Sequence, residues 1–190
     1  MLNKCASYLS KIPGVVVSLI LCMALIGSTA DFFSMGYVVQ GTPFDAGIRS
    51  AGGFNLTPAP IPPYQQESIE NLFFTARSFR YSYKGVTSKW QSSEETEARH
   101  AGDCKDKAIW LFTRLIQNGY YNVRLVVGRY RSVDNQLHAW VICSDKHGNT
   151  CLLDPTKQKR IWYQIAVDSG FYHPLYAYDG QNRYRYFRSP

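Results

Sequence analysis

An α+β fold is predicted by three features of this 190-residue sequence. Apolar residues recur at helical spacing over 68–79 and again over 104–117. The period changes to extended alternation after Gly119, and Gly148-Asn149 and Asp179-Gly180 join extended stretches as hairpin turns. Helices first and an antiparallel sheet afterwards is the α+β order.

The chain opens on an address. Lys4 and Lys11 precede the apolar run from Val15 to Ile26, and Ser28-Thr29-Ala30 offers small residues where a signal peptidase cuts. Residues 1–30 are therefore expected to be a signal peptide that sends the protein to the periplasm or out of the cell. The rival outcome is an uncleaved membrane anchor, because residues 12–30 carry no charge. Residues 31–66, with Ala51-Gly52-Gly53 and the prolines from Pro58 to Pro63, read as a Gly/Pro-rich linker or draped arm. Phe32, Phe33, Tyr37 and Phe44 within it are costly to leave in water. Residues 67–190 form the expected folded domain.

Its first helix follows Ser68, with Ile69, Leu72, Phe73 and Ala76 on one face. Ser92 and Glu95 have capping-box spacing and start a short helix that runs to about His100, ended by Ala101-Gly102. The next helix, from about Cys104 to Gln117, carries apolar residues at 104, 108, 111, 112, 115 and 116, and Asp103 is its N-cap. Cys104 thus sits in a first turn, where unpaired N–H groups and the helix dipole stabilise a developing thiolate. Read alone, a lone Cys is more often a small buried hydrophobe on a helix's inner face. Asp106 reads as a first-turn carboxylate favoured by the same dipole.

Strands are expected over 123–130, 136–143, 150–154, 175–178 and 183–187. Once Cys5 and Cys22 are set aside with the signal peptide, Cys104, Cys143 and Cys151 remain. An odd count in an oxidising compartment predicts one pair and one free thiol, and Cys143 and Cys151 flank a hairpin, so a disulfide between them is expected. The register that lets them meet turns His138 and Asp154 to the opposite face as diagonal neighbours, with anchoring atoms about 7–8 Å apart or less. Singly, His138 is an ordinary strand histidine and Asp154, before Pro155, starts a turn. With Cys104 they form a nucleophile, a base and an orienting carboxylate.

Composition narrows the classes. The chain is 45% hydrophobic and 15% aromatic, enough for a core without metal, and its formal charge is +7. No Lys/Arg run reaches five residues, and Arg183 to Arg188 alternates cations with aromatics as a half-solvated strand does, so no nucleic-acid partner is expected. A zinc site from Cys143, His147 and Cys151 lacks a fourth ligand, and no metal is expected there.

The segments Trp90-Gln91-Ser92-Ser93-Glu94-Glu95-Thr96, Gly102-Asp103-Cys104-Lys105-Asp106-Lys107-Ala108, His138-Ala139-Trp140 and Leu153-Asp154-Pro155-Thr156 resemble the transglutaminase-like superfamily. They look most like the bacterial transglutaminase-like cysteine proteinases, over about residues 67–156. The resemblance implies a papain-like core with Cys104 as nucleophile, His138 as general base and acid, and Asp154 as the orienting residue. The family motif commonly has an acid directly after the Cys, where this chain has Lys105. Some members bind calcium with acidic residues in this region, so calcium is possible although unassigned, and no other cofactor is expected. The expected function is an exported thiol hydrolase that cleaves amide bonds of a protein or peptide through an acyl-enzyme thioester. The backbone N–H of Cys104 would hold the oxyanion, with Trp90 or Tyr83 as second donor. Transfer of the acyl group to an amine, or a non-catalytic binding module on the same scaffold, are the alternatives.

Overall fold

A computed structural model describes residues 36–58, 62, 66–83, 89–131, 133, 135–163 and 171–186; the expected signal stretch, 1–30, lies outside them. In chain order the elements are β1 (Gly36–Val39), α1 (Asp45–Ser50), α2 (Ile69–Ser78), β2 (Arg80–Tyr81), α3 (Ser93–Arg99), β3 (Ala101–Gly102), α4 (Cys104–Gln117), β4 (Arg124–Tyr130), β5 (Leu137–Ser144), β6 (Thr150–Leu153), β7 (Trp162–Tyr163), β8 (Tyr172–Tyr178) and β9 (Arg183–Tyr186). Seven strands form one sheet in the order β1-β9-β8-β4-β5-β6-β7, antiparallel throughout, while β2 and β3 make a short parallel pair. Among the described residues no helix is long and apolar enough to cross a membrane.

Helix α4 packs against α2, α3 and β5. Its inner residues Ala108, Leu111, Phe112 and Leu115 are fully buried, and they meet Leu125, Val127, Val141 and Leu153 from the sheet. Each large side chain so buried stabilises the fold by about 1.5–3 kcal/mol. The opposite sheet face carries a second cluster of Val126, Trp140, Ile142, Leu152, Tyr172 and Ala177. With both faces covered, the central strands β4 and β5 read as apolar runs more than as clean alternation.

The N-terminal arm departs from the expectation of a linker. Gly36–Val39 pairs with β9 as an edge strand, and Ile48 and Ala51 from the segment after it are buried in the α4 core. A four-residue strand with no periodic neighbourhood gives little local signal; its partner lies about 150 residues away in the register Gly36↔Tyr186. The turn before α4 also differs in detail. The left-handed residue that ends α3 is His100, at φ 44°, while Gly102 is extended in β3 and needed for space. A Cβ there would come within 2.6 Å of Asp106 Cβ.

Strand β8 begins three residues earlier than the expected start at Leu175, because Pro174 is accommodated at an irregularity. The β4–β8 register shifts between Val127 and Gly128, so that Val127 faces Tyr176 but Gly128 faces Pro174. A bulge is where a strand tolerates a residue without an N–H. Gly128 is required there by close approach, since a Cβ would lie 2.2 Å from the His173 carbonyl oxygen and 2.6 Å from the Trp140 ring. Gly128→Ala is expected to destabilise the protein by about 1–3 kcal/mol, read as a lower midpoint in urea at unchanged slope.

The expected disulfide is not present. Cys143 and Cys151 do stand directly opposite one another on β5 and β6, as the hairpin register requires, but both are free thiols, fully buried in the α4-facing core. The neighbouring Cys151 thiol, together with burial, holds the Cys143 thiol well above the usual range. Register opposition supplies proximity but not the torsion that a sulfur–sulfur bond demands. A pair of neutral thiols is otherwise at home in an apolar layer.

Candidate active site

The tip of α4 is built by reciprocal capping. The Asp103 carboxylate accepts the N–H groups of Lys105 (3.1 Å) and Asp106 (3.4 Å), while the Asp106 side chain accepts the N–H of Asp103 (3.2 Å). Cys104, partly exposed, is the first helical residue above this cap. Asp106 is fully buried, and it also takes the Gln91 backbone N–H (2.9 Å) and side-chain amide (2.6 Å). More than a dipole-favoured first-turn carboxylate, Asp106 ties the segment after Trp90 to the helix that carries Cys104. Its signal in the sequence is the Asp-x-x-Asp spacing, a variant of the capping box.

His138 enters from β5 and Asp154 from the residue just after β6. The β5–β6 ladder ends at Val141 opposite Leu153, one residue short of Asp154, and the structure holds His138 Nε2 2.6 Å from Asp154 Oδ2. That nitrogen is a donor because its partner is a carboxylate. In the neutral ring the other nitrogen, Nδ1, is then the acceptor, and Cys104 lies close enough for its charge to act on the imidazole. Burial alone would depress the imidazole. Asp154 foremost, and Cys104 after it, outweigh that effect, and His138 is pushed up to about 9 from 6.5.

Asp154 is fully buried, yet neither of its oxygens lacks a donor. Oδ1 accepts the N–H groups of Thr156 (2.9 Å) and Lys157 (3.1 Å), an arrangement that follows from the turn at Pro155. Oδ2 accepts His138 and the Tyr172 hydroxyl, the latter at 2.9 Å. Burial and the Asp154 charge raise the Tyr172 hydroxyl well above its ordinary range, so it stays a donor. Trp140 lies nearly parallel to the imidazole at 6.1 Å between ring centres, and Tyr130 meets it edge-on at 6.1 Å. These rings screen the His138–Asp154 bond from water. Tyr172 is the residue that sequence reasoning misses: it lies beyond the stretch the motifs cover, and its contact with Asp154 depends on β8 lying beside β4.

A cavity opens on Cys104 and His138, walled by Phe44, Trp90, Val127, Leu137 and Ala139, with Tyr83 at its rim. Trp90 thus lines the space in front of the sulfur, held from behind by Phe44 at 6.5 Å and by Gly47, where a Cβ would come within 2.7 Å of the indole nitrogen. The zinc alternative finds no support in the geometry: His147 is exposed in the hairpin turn while Cys143 and Cys151 are buried. Among the described residues no group of three or more His, Cys, Asp or Glu is placed to hold a metal ion.

No protein-family profile matches the chain. No curated protein matches it either. Solved structures do. LapG of Legionella pneumophila in its calcium-bound form superposes with a TM-score of 0.53 at 20% identity, over 90% of this chain and 87% of that one. The EGTA-treated form gives 0.55 at 19% identity, over 89% and 83%. The chain has the LapG fold. That likeness is one of fold, and it agrees with the α+β arrangement of helices and antiparallel sheet expected from the sequence.

The LapG fold brings calcium into view, since that protein is described both with calcium bound and after EGTA treatment. The acidic side chains around Cys104 in this chain do not fit such an ion. Asp103 is bonded to two backbone N–H groups and ion-paired with Lys105, whose Nζ lies on its Oδ2. Asp106 is taken by Gln91 and the Asp103 N–H, and Asp154 by four donors. Calcium asks for six to eight oxygen ligands at one point, and these oxygens face protein donors instead.

Proposed function

We propose that the protein is an exported thiol hydrolase that cleaves an amide bond in a protein or peptide substrate. Export rests on the N-terminal stretch. The reaction rests on one observation above the others: the His138 imidazole, buried and hydrogen-bonded to the Asp154 carboxylate, shares one cavity with Cys104 at the tip of α4. The LapG fold agrees with a cysteine-protease reading.

The chemistry follows from that alignment. Cys104 gives its proton to His138, and the raised basicity of the imidazole favours keeping it. The sulfur attacks the substrate carbonyl carbon, a C–S bond forms, and the carbonyl electron pair moves to oxygen. The N–H of Cys104, at the positive end of α4, stabilises that charge, and a second donor comes from the cavity wall, where Trp90 and Tyr83 both stand. When the tetrahedral species collapses, the C–N bond breaks and the amine leaves with the His138 proton. Water then loses a proton to His138 and attacks the thioester; the C–S bond breaks, releasing the acid and restoring sulfur and imidazolium. Asp154, held by Tyr172 and two backbone N–H groups, fixes the ring throughout.

The test is stoichiometric alkylation of the native protein with iodoacetamide at neutral pH, mapped by mass spectrometry and read against hydrolysis of a peptide library. One label on Cys104 with loss of hydrolysis is expected. Preferential labelling of Cys143 or Cys151, or a native Cys104 that does not react, would overturn the reading. Adding a primary amine to the same assay separates hydrolysis from transfer, with free acid the expected product.

A further inference from the structure

We infer that Lys105 is a built-in counter-cation for the acidic tip of α4, and that the protein keeps its fold and its nucleophile in place without calcium. Asp103 and Asp106 stand in one helical turn, 2% and 0% exposed. Two carboxylates removed from water so close together need compensating charge or hydrogen bonds on each oxygen. The hydrogen bonds come from Gln91 and the helix's own N–H groups. The full positive charge comes from Lys105, whose side chain is only 11% exposed and whose ammonium lies on Asp103 Oδ2.

The position of this lysine carries the inference. It directly follows Cys104, between the two buried carboxylates of Asp103 and Asp106. An acid here would add a third carboxylate to Asp103 and Asp106 beside the sulfur, a cluster of hard oxygen ligands suited to a divalent cation. A lysine does the reverse. Its ammonium occupies the side of Asp103 that such a cation would use and repels one approaching Asp106. The calcium-bound and EGTA-treated LapG structures say that this fold can carry the ion; here the charge is tethered to the chain. The inference concerns the same tip of α4 as the proposed function, but its test reads stability and ion binding, so it stands or falls whether or not Cys104 cleaves a peptide.

The experiment is thermal unfolding of the full chain in EGTA and in millimolar calcium, with calorimetric titration of calcium alone. Wild type is expected to melt at the same temperature in both and to bind no calcium. Lys105→Met, which keeps the apolar stem without the charge, is expected to melt about 5 °C lower or more, and Lys105→Arg to stay near wild type. Lys105→Glu is expected to be destabilised in EGTA and to regain stability with calcium. A wild-type melting temperature that rises with calcium, a Lys105→Met protein as stable as wild type, or a folded Lys105→Glu protein indifferent to calcium would each overturn the inference. If Lys105→Glu does not fold in EGTA, wild type and Lys105→Met decide it.

Discussion

Asp154→Asn is expected to lower kcat/KM for amide hydrolysis by about three to four orders of magnitude. The carboxylate receives the Nε2–H of His138 at 2.6 Å, which leaves Nδ1 as the nitrogen that takes the Cys104 proton. An amide in its place can present an N–H to Nε2 and stabilise the other tautomer, with the proton on Nδ1 and no base facing sulfur. It also removes the charge that stabilises the imidazolium. The backbone donors from Thr156 and Lys157 can still hold the amide oxygen in the place of Oδ1, and the Tyr172 hydroxyl can turn to accept from the amide nitrogen, so the variant should fold. Circular dichroism and the melting temperature check that point, and steady-state kinetics read the loss. A variant within tenfold of wild type would remove Asp154 from the reaction.

The second large effect is on stability against pH. Folding raises His138 from 6.5 to about 9, so the folded state holds its proton more tightly than the unfolded chain. The sign follows: the stabilisation is complete below about pH 6.5, declines as pH climbs, and is gone above about 9. A shift of this size corresponds to about 3 kcal/mol across the window. The His138 side chain is 7% exposed and its partner is fully buried, so salt should screen the term little. Other groups titrate nearby, among them Lys107, lowered chiefly by burial and by Arg77, and the measurement therefore compares two proteins. Urea unfolding of wild type between pH 6 and pH 9.5 should lose more stability than Asp154→Asn over the same range, by up to about 3 kcal/mol. Parallel curves would mean that the imidazole gains nothing from its carboxylate.

What could be read in advance depended on how local the signal was. The helix carrying Cys104 is legible because its apolar spacing, its Asp103 cap and its Asn118-Gly119 stop all lie within the helix or at its ends. The nearness of His138 and Asp154 is legible because one hairpin joins their strands and side chains alternate along each. The disulfide failed for the opposite reason: its partners were read correctly, but bond formation turns on side-chain torsion, which register does not determine. Tyr172, Phe44 and strand β1 carry no short-range mark. Tyr172 reaches Asp154 only because β8 crosses to the far side of β4, and Phe44 reaches the cavity only because the segment after β1 folds back on Trp90. Lys105 was visible as a departure from a motif, while its ion pair with Asp103 required coordinates.

Phe44 has a practical consequence. The cleft in front of Cys104 takes one wall from a segment that precedes every residue the motifs cover. A shortened protein beginning at Ser68, the natural choice from motif boundaries, would expose the Trp90 indole, open the cleft to solvent and leave β9 with a bare edge. Inhibitor screens run on such a fragment would rank compounds against a groove of the wrong shape.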